Sequence, residues 1–382
     1  MVSTAQASKA VRRLAWLATA FALLVIVFGA FVRLSNAGLS CPDWPTCYGH
    51  VAWPQQSSAI AQADAAFPNR PVETHKAWRE QTHRFLAGTL GLLVLALALC
   101  ATWKSRHCMA AVFAAVVFIG VGIPLYISAH YVLSSVFAML GELLLLVTAL
   151  AWQGESWRRV AVLTLAVVCF QALLGMWTVT WLLKPIVVSA HLLGGMATFA
   201  LLAWIASRIS TDRFKANSAH LRVIVRFGVV LLACQIALGG WTSSNYAALA
   251  CGLDFPTCLG HWWPAVDFHQ GFVLWRGIGV DYEGGILDGP ARTAIQIAHR
   301  IGAVLVFCYL AWLAHKISRA GLRKYAIALG ALLLVQVLLG IGNVKLGLPL
   351  QVAVAHNAGA ALLLFALVTL LARIPARDKA IA

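Results

Sequence analysis

Ten stretches of about twenty residues are too apolar to face water and long enough to cross a bilayer. They are predicted at 14–34, 82–103, 109–129, 132–152, 160–181, 186–207, 224–244, 293–315, 325–344 and 350–372. In hydrocarbon every backbone N–H and C=O must be paired within the protein, and a helix does this segment by segment. The chain is therefore expected to be an all-α polytopic membrane protein embedded in a lipid bilayer. A mean hydropathy of +0.82 and a charged fraction of 11% leave little surface for water. The first run follows Lys9, Arg12 and Arg13, as a signal peptide would, but it is too long for a signal core and lacks a small-residue cleavage site. It counts as a span.

The net charge of +16 invites a nucleic-acid reading, which the distribution of charge excludes. Of 29 Lys and Arg residues, 19 fall in alternate gaps and in the two termini, the pattern of cytoplasmic loops. Both termini are expected in the cytoplasm of a bacterium, with the chain in its cytoplasmic (inner) membrane. Two long loops, 35–81 and 245–292, then lie on the outer face.

Those loops repeat one another. Leu39-Ser40-Cys41 through Trp44-Pro45-Thr46-Cys47 to Gly49-His50 returns as Leu249-Ala250-Cys251 through Phe255-Pro256-Thr257-Cys258 to Gly260-His261. The offset is 210 residues at the first Cys, 216 between His83 and His299, and 165 between Gln171-to-His191 and Gln336-to-His356. The fall from 216 to 165 leaves about fifty extra residues in the first half, enough for one transmembrane hairpin. Two parallel four-helix repeats are expected. The N-terminal half is 1–215, with the added hairpin at about 108–153, and the C-terminal half is 216–382.

Each half carries two intramembrane histidines near the outer ends of different helices: His83 and His191, then His299 and His356. Two imidazoles at one depth on facing helices are what a haem iron takes as axial ligands. Arg84 and Arg300, each directly after a histidine, are placed to pair with haem propionates. Zinc lacks further ligands in register at that depth, and a carboxylate-bridged di-iron site lacks carboxylates, since Glu142 is the only other one well inside a span. His50 and His261 read as loop packing, and His107, His220 and His315 as interfacial residues on the cytoplasmic side. His130, in the added hairpin, has no counterpart and is expected to be structural.

Cys41 and Cys47 face an oxidising compartment and are expected to form a disulfide. Cys251 and Cys258 are candidates for a second one, their pairing left open. The absence of a Cys-x-x-Cys-His run means that haem is held without a covalent link.

The run Leu39 to Cys47, Glu80-x-x-His83-Arg84, Gln171 to His191, and His299-Arg300 with His356 together resemble the haem A synthase family, over about residues 14 to 373. The resemblance implies a haem-dependent membrane oxidoreductase of haem A biosynthesis, which converts haem O to haem A for cytochrome oxidase assembly. It implies substrate haem between His83 and His191, resident haem b between His299 and His356, and a catalytic carboxylate at Glu80. It also implies that Cys41 and Cys47 match the family's functional cysteines, and that haem O synthase and cytochrome oxidase assembly factors are partners. The electron donor, the source of the formyl oxygen and the number of copies in a homo-oligomer are not set by the sequence. The family's usual eight spans become ten here. Glu80 has no counterpart in the second half, where Gln296 takes its place. One reactive and one electron-transferring site would require such an asymmetry; the alternative is a di-haem b-type electron-transfer cytochrome.

Overall fold

The computed structural model describes residues 7–210, 214 and 219–375. The expected boundary at residues 215 and 216, and Arg213, Lys215, Arg377 and Lys379, lie outside them. The described residues form twelve helices and no strand: α1 (Lys9–Leu34), α2 (Ser57–Ala66), α3 (Thr74–Thr102), α4 (Arg106–Ile127), α5 (Tyr131–Leu150), α6 (Ser156–Thr180), α7 (Pro185–Ser210), α8 (Ala219–Ser244), α9 (Phe268–Gly271), α10 (Gly289–Arg319), α11 (Arg323–Lys345) and α12 (Leu350–Arg373). All but α2 and α9 are long and apolar enough to cross a membrane.

Of the helices that start earlier than their apolar runs, two carry the entry histidines His83 and His299. α3 begins at Thr74 rather than at 82, and α10 at Gly289 rather than at 293. The polar first turns of α3, with Lys76, Arg79 and Glu80, fail a hydropathy window but continue the same helix. Glu80 and His83 therefore sit on unbroken helix, three residues apart and on one face. At the start of α10 the Asp288 carboxylate accepts from Ala291 N at 2.9 Å, and Pro290 occupies the first turn.

In the first half, α1 packs against α3 and α7, and α6 closes the ring by touching both α3 and α7. In the second, α8 packs against α10 and α12, and α11 closes on both of those. The rings meet where α7 lies against α8 and α12, and α1 against α12. Small side chains make this approach possible: Ala15, Ala18 and Ala22 form one fully buried stripe along α1. Phe199 of α7 stacks on Phe365 of α12 at 5.9 Å across the junction.

α4 and α5 form the added hairpin, laid against α6 and the end of α3. Within it a Cβ placed on Gly141 would come 2.7 Å from Ala115 O, so only glycine allows the two backbones this close. Phe113, Val117, Val132, Val136, Met139 and Leu143 are exposed on the hairpin. Continuous apolar surface on this scale marks an integral membrane protein. Glu142 is half-buried on α5, and His130 is exposed in the turn before it.

Both long loops are built alike. Each is closed by a disulfide, Cys41–Cys47 and Cys251–Cys258, which settles the second pairing. Each contains a cis X-Pro bond, at Trp44-Pro45 and Phe255-Pro256, and a backbone bridge from the second cysteine to the histidine three residues on. In each an aspartate accepts backbone N–H groups: Asp43 from Tyr48 at 2.6 Å and Gly49 at 2.8 Å, Asp254 from Gly260 at 2.6 Å. Gly49 and Gly260 hold φ of +76° and +79°, a conformation that favours glycine. The loops are also tied together, because Arg70 reaches Asp281 and Glu283 at 2.5 and 2.7 Å.

Candidate functional site

Each of the four intramembrane histidines rests its ring on a glycine of the neighbouring helix. A Cβ built on Gly29 of α1 would lie 2.7 Å from His83 Cε1; on Gly175 of α6, 3.1 Å from His191 Cε1. In the second half the pairs are Gly239 with His299 at 3.3 Å and Gly340 with His356 at 3.1 Å. Any larger residue would push the imidazole aside. His83 and His191 lie within electrostatic range of one another, as do His299 and His356. Each ring of helices carries one of the expected pairs, His83 on α3 with His191 on α7, and His299 on α10 with His356 on α12.

Glutamines hold three of the four. Gln171 Nε2 donates to His191 O at 2.5 Å, and Gln235 Nε2 to His299 O at 3.0 Å, 3.1 Å from its Nδ1. Gln336 Nε2 lies 3.5 Å from His356 Nε2. The glutamine oxygens press on glycines, Gly194, Gly302 and Gly359, where a Cβ would come within 2.2 Å or closer. His83 has no such partner; Val25 stands at the position on α1 that matches Gln235 on α8. Nδ1 of His83, His191 and His356 is buried without a hydrogen-bond partner. A ring nitrogen left without a partner in an apolar bundle is costly in the free protein.

Glu80 is 4% exposed and has both oxygens engaged. Oε1 accepts from Arg84 Nη2 at 2.6 Å; Oε2 accepts from Cys41 N at 2.9 Å and lies 3.0 Å from Ser40 Oγ. The carboxylate is therefore pinned between its own helix and the disulfide loop some forty residues away in sequence.

The arginines hold the disulfide loops. Arg84 Nη1 donates to Asp43 O at 2.8 Å and Thr46 O at 2.6 Å, and Nη2 to Cys41 O at 3.2 Å as well as to Glu80. All four of its η hydrogens are taken, and Arg84 clamps the loop. Arg300 clamps the second loop in the same way, through Thr257 O and Asp254 O, each at 2.8 Å. It has no carboxylate beside it: Gln296, at the place of Glu80, is 4% exposed and its Oε1 is unpartnered.

The family model for cytochrome oxidase assembly proteins, COX15-CtaA, matches residues 12–123 and 129–368. The chain belongs to this family. A heme A synthase from Shewanella oneidensis is 39% identical over 354 residues, 92% of each chain. Heme A synthases from Rhizorhabdus wittichii and Bacillus licheniformis are 25% and 24% identical, covering 90% and 91% of this chain and 88% and 91% of their own. Within the family frame, sequence reasoning missed Ser40 and the glutamine at 235. The signal for the first was available, since the matched loops differ there, Ser40 against Ala250.

Proposed function

We propose that this chain is a haem A synthase that binds haem O between His83 and His191 and oxidises one porphyrin methyl to a formyl. Two successive hydroxylations, each passing two electrons from the carbon to an external oxidant, dioxygen or another electron acceptor, give a geminal diol, and loss of water gives the aldehyde of haem A. His299 and His356 would hold a resident haem b, which supplies one-electron transfer. The paired imidazoles, each on a bare glycine face and three with an orphaned Nδ1, fit axial ligation in both rings.

One observation carries the division of labour: a buried, hydrogen-bonded carboxylate at Glu80, and an amide at Gln296 on the same scaffold. Diol dehydration needs a proton given to one hydroxyl and taken from the other, which a carboxyl group does and an amide does not. Glu80, one turn before His83 on the same face of α3, would lie close to a haem held by that histidine.

The membrane is the bacterial cytoplasmic membrane, with both termini inside and the disulfide loops outside, as the basic residues support. Haem O synthase supplies the substrate, an electron donor completes the redox cycle, and the product goes to cytochrome oxidase assembly. Extracting the pigments of the purified protein tests the reading. Haem b together with haem O or haem A supports it; haem b alone would make the chain a di-haem electron-transfer cytochrome.

Two further outcomes follow. Gly29→Ala forces His83 from its place and is expected to lower haem O binding at least tenfold while leaving the haem b spectrum unchanged, since Gly29 touches only the first site. A haem titration monitored by absorbance checks this. His130→Ala, at an exposed turn outside the repeat, is expected to retain both haems; loss of either from the folded variant would count against a structural hairpin.

A further inference from the structure

Ser40 makes two contacts that its single hydroxyl proton cannot serve at once. Its Oγ is 2.7 Å from Ala37 O and 3.0 Å from Glu80 Oε2, and both partners accept when Glu80 is ionised. The conflict vanishes when Glu80 is protonated. The carboxyl proton then points from Oε2 to Ser40 Oγ, and the serine proton points to Ala37 O. Around the same carboxyl group, the N–H of Cys41 and the guanidinium of Arg84 can only donate. Ser40 is the contact that accommodates the acid.

We infer that Ser40 is a positioning residue for Glu80, whose hydroxyl turns between Ala37 O and Oε2 and so keeps the carboxyl group in one place in both protonation states. The inference rests on Glu80 being the proton-handling group proposed above. Its independent support is the second half. There the disulfide, cis-proline, aspartate and arginine clamp are all rebuilt, and among the positions that differ, with Phe255 for Trp44 and Leu259 for Tyr48, Ala250 replaces Ser40 where Gln296 replaces Glu80. Ala37 and its counterpart Ala247 are both fully buried, so the site is equally enclosed in each half. Where there is no carboxyl proton to handle, there is no hydroxyl.

The other ionisable groups about Glu80 are accounted for. On its own helix, Arg84 is committed to the loop, Arg79 lies over the rings of Phe31 and Trp78, and His83 is the ligand. From the loop, Asp43 is capped by Thr46, Tyr48 and Gly49. Tyr48 is driven up to about 12, first by burial and then by Asp64, Glu80, Glu73 and Asp43, so its phenol stays neutral. None of them offers Oε2 a partner that both donates and accepts.

The test is the rate of haem O conversion by the full-length protein in membranes, measured across pH, for Ser40→Ala, Ser40→Thr and Glu80→Gln. Ser40→Ala should keep both haem spectra, slow conversion about tenfold, the worth of one hydrogen bond, and change the shape of the pH profile, because the carboxyl group has lost a partner that serves both of its forms. Ser40→Thr, which retains the hydroxyl, should restore the rate to within about threefold. An unaltered rate and profile in Ser40→Ala, with Glu80→Gln inactive, would overturn the role of Ser40 alone. Equal losses in the Ala and Thr variants, accompanied by lost haem, would overturn it in favour of simple packing. Full activity in Glu80→Gln would remove the catalytic reading beneath it.

Discussion

Glu80→Gln is expected to keep both haem sites and lower haem A formation by at least a hundredfold, the scale of a lost general acid and base. The amide matches the carboxyl group in shape but cannot exchange a proton. The fold should survive it. Removing one partner of a buried ion pair commonly costs about 3–5 kcal/mol, because the other charge is left stranded. Arg84 would not be stranded, since three of its hydrogen bonds go to loop carbonyls. The second half is the control built into the chain, for Arg300 holds its loop through carbonyls beside Gln296. A loss of about 1–2 kcal/mol is therefore expected, one charge-assisted hydrogen bond. Haem extraction from cells lacking their own copy of the enzyme should show haem O or a hydroxylated haem in place of haem A.

His299→Ala and His356→Ala should each abolish the low-spin haem b spectrum, because each leaves an iron with one axial ligand. The methyl group cannot replace the imidazole, and the bare faces of Gly239 and Gly340 leave a gap rather than a substitute. His83→Ala should do the opposite, sparing haem b and removing haem O binding. Reduced-minus-oxidised spectra of the purified variants separate the two patterns. Retention of full low-spin haem b in both second-half variants would break the assignment.

The spans were legible because hydrocarbon leaves a chain little freedom, and the ten apolar runs correspond to ten helices. The polar first turns of α3 escaped the hydropathy reading for a physical reason: Lys76, Arg79 and Glu80 are helical but belong to the boundary, where charge is tolerated. The histidines were legible through the repeat, and Cys251 with Cys258 through likeness to the first pair. Of the partners of Glu80, Arg84 was legible from its place one turn on along the helix, and the contacts from the loop were not. Ser40 and Cys41 reach it only because the disulfide loop folds back onto α3, and no periodicity reports a contact between residues forty apart. The same limit explains Arg84 and Arg300. Their place after a histidine says nothing of the loop carbonyls that they hold, which belong to residues some forty positions away. Lys184 was equally hidden: it is 1% exposed, with its ammonium 3.4 Å from the ring of Trp275 in the other half. Burial lowers its pKa.

The most direct measurement supplies haem O to membranes that contain this chain as their only haem A synthase and follows the haem by mass. Under turnover, with its redox partners present, haem O should be replaced by a species in which one methyl has become a formyl. Haem O recovered unchanged, from protein that carries its full complement of haem b, would contradict the account.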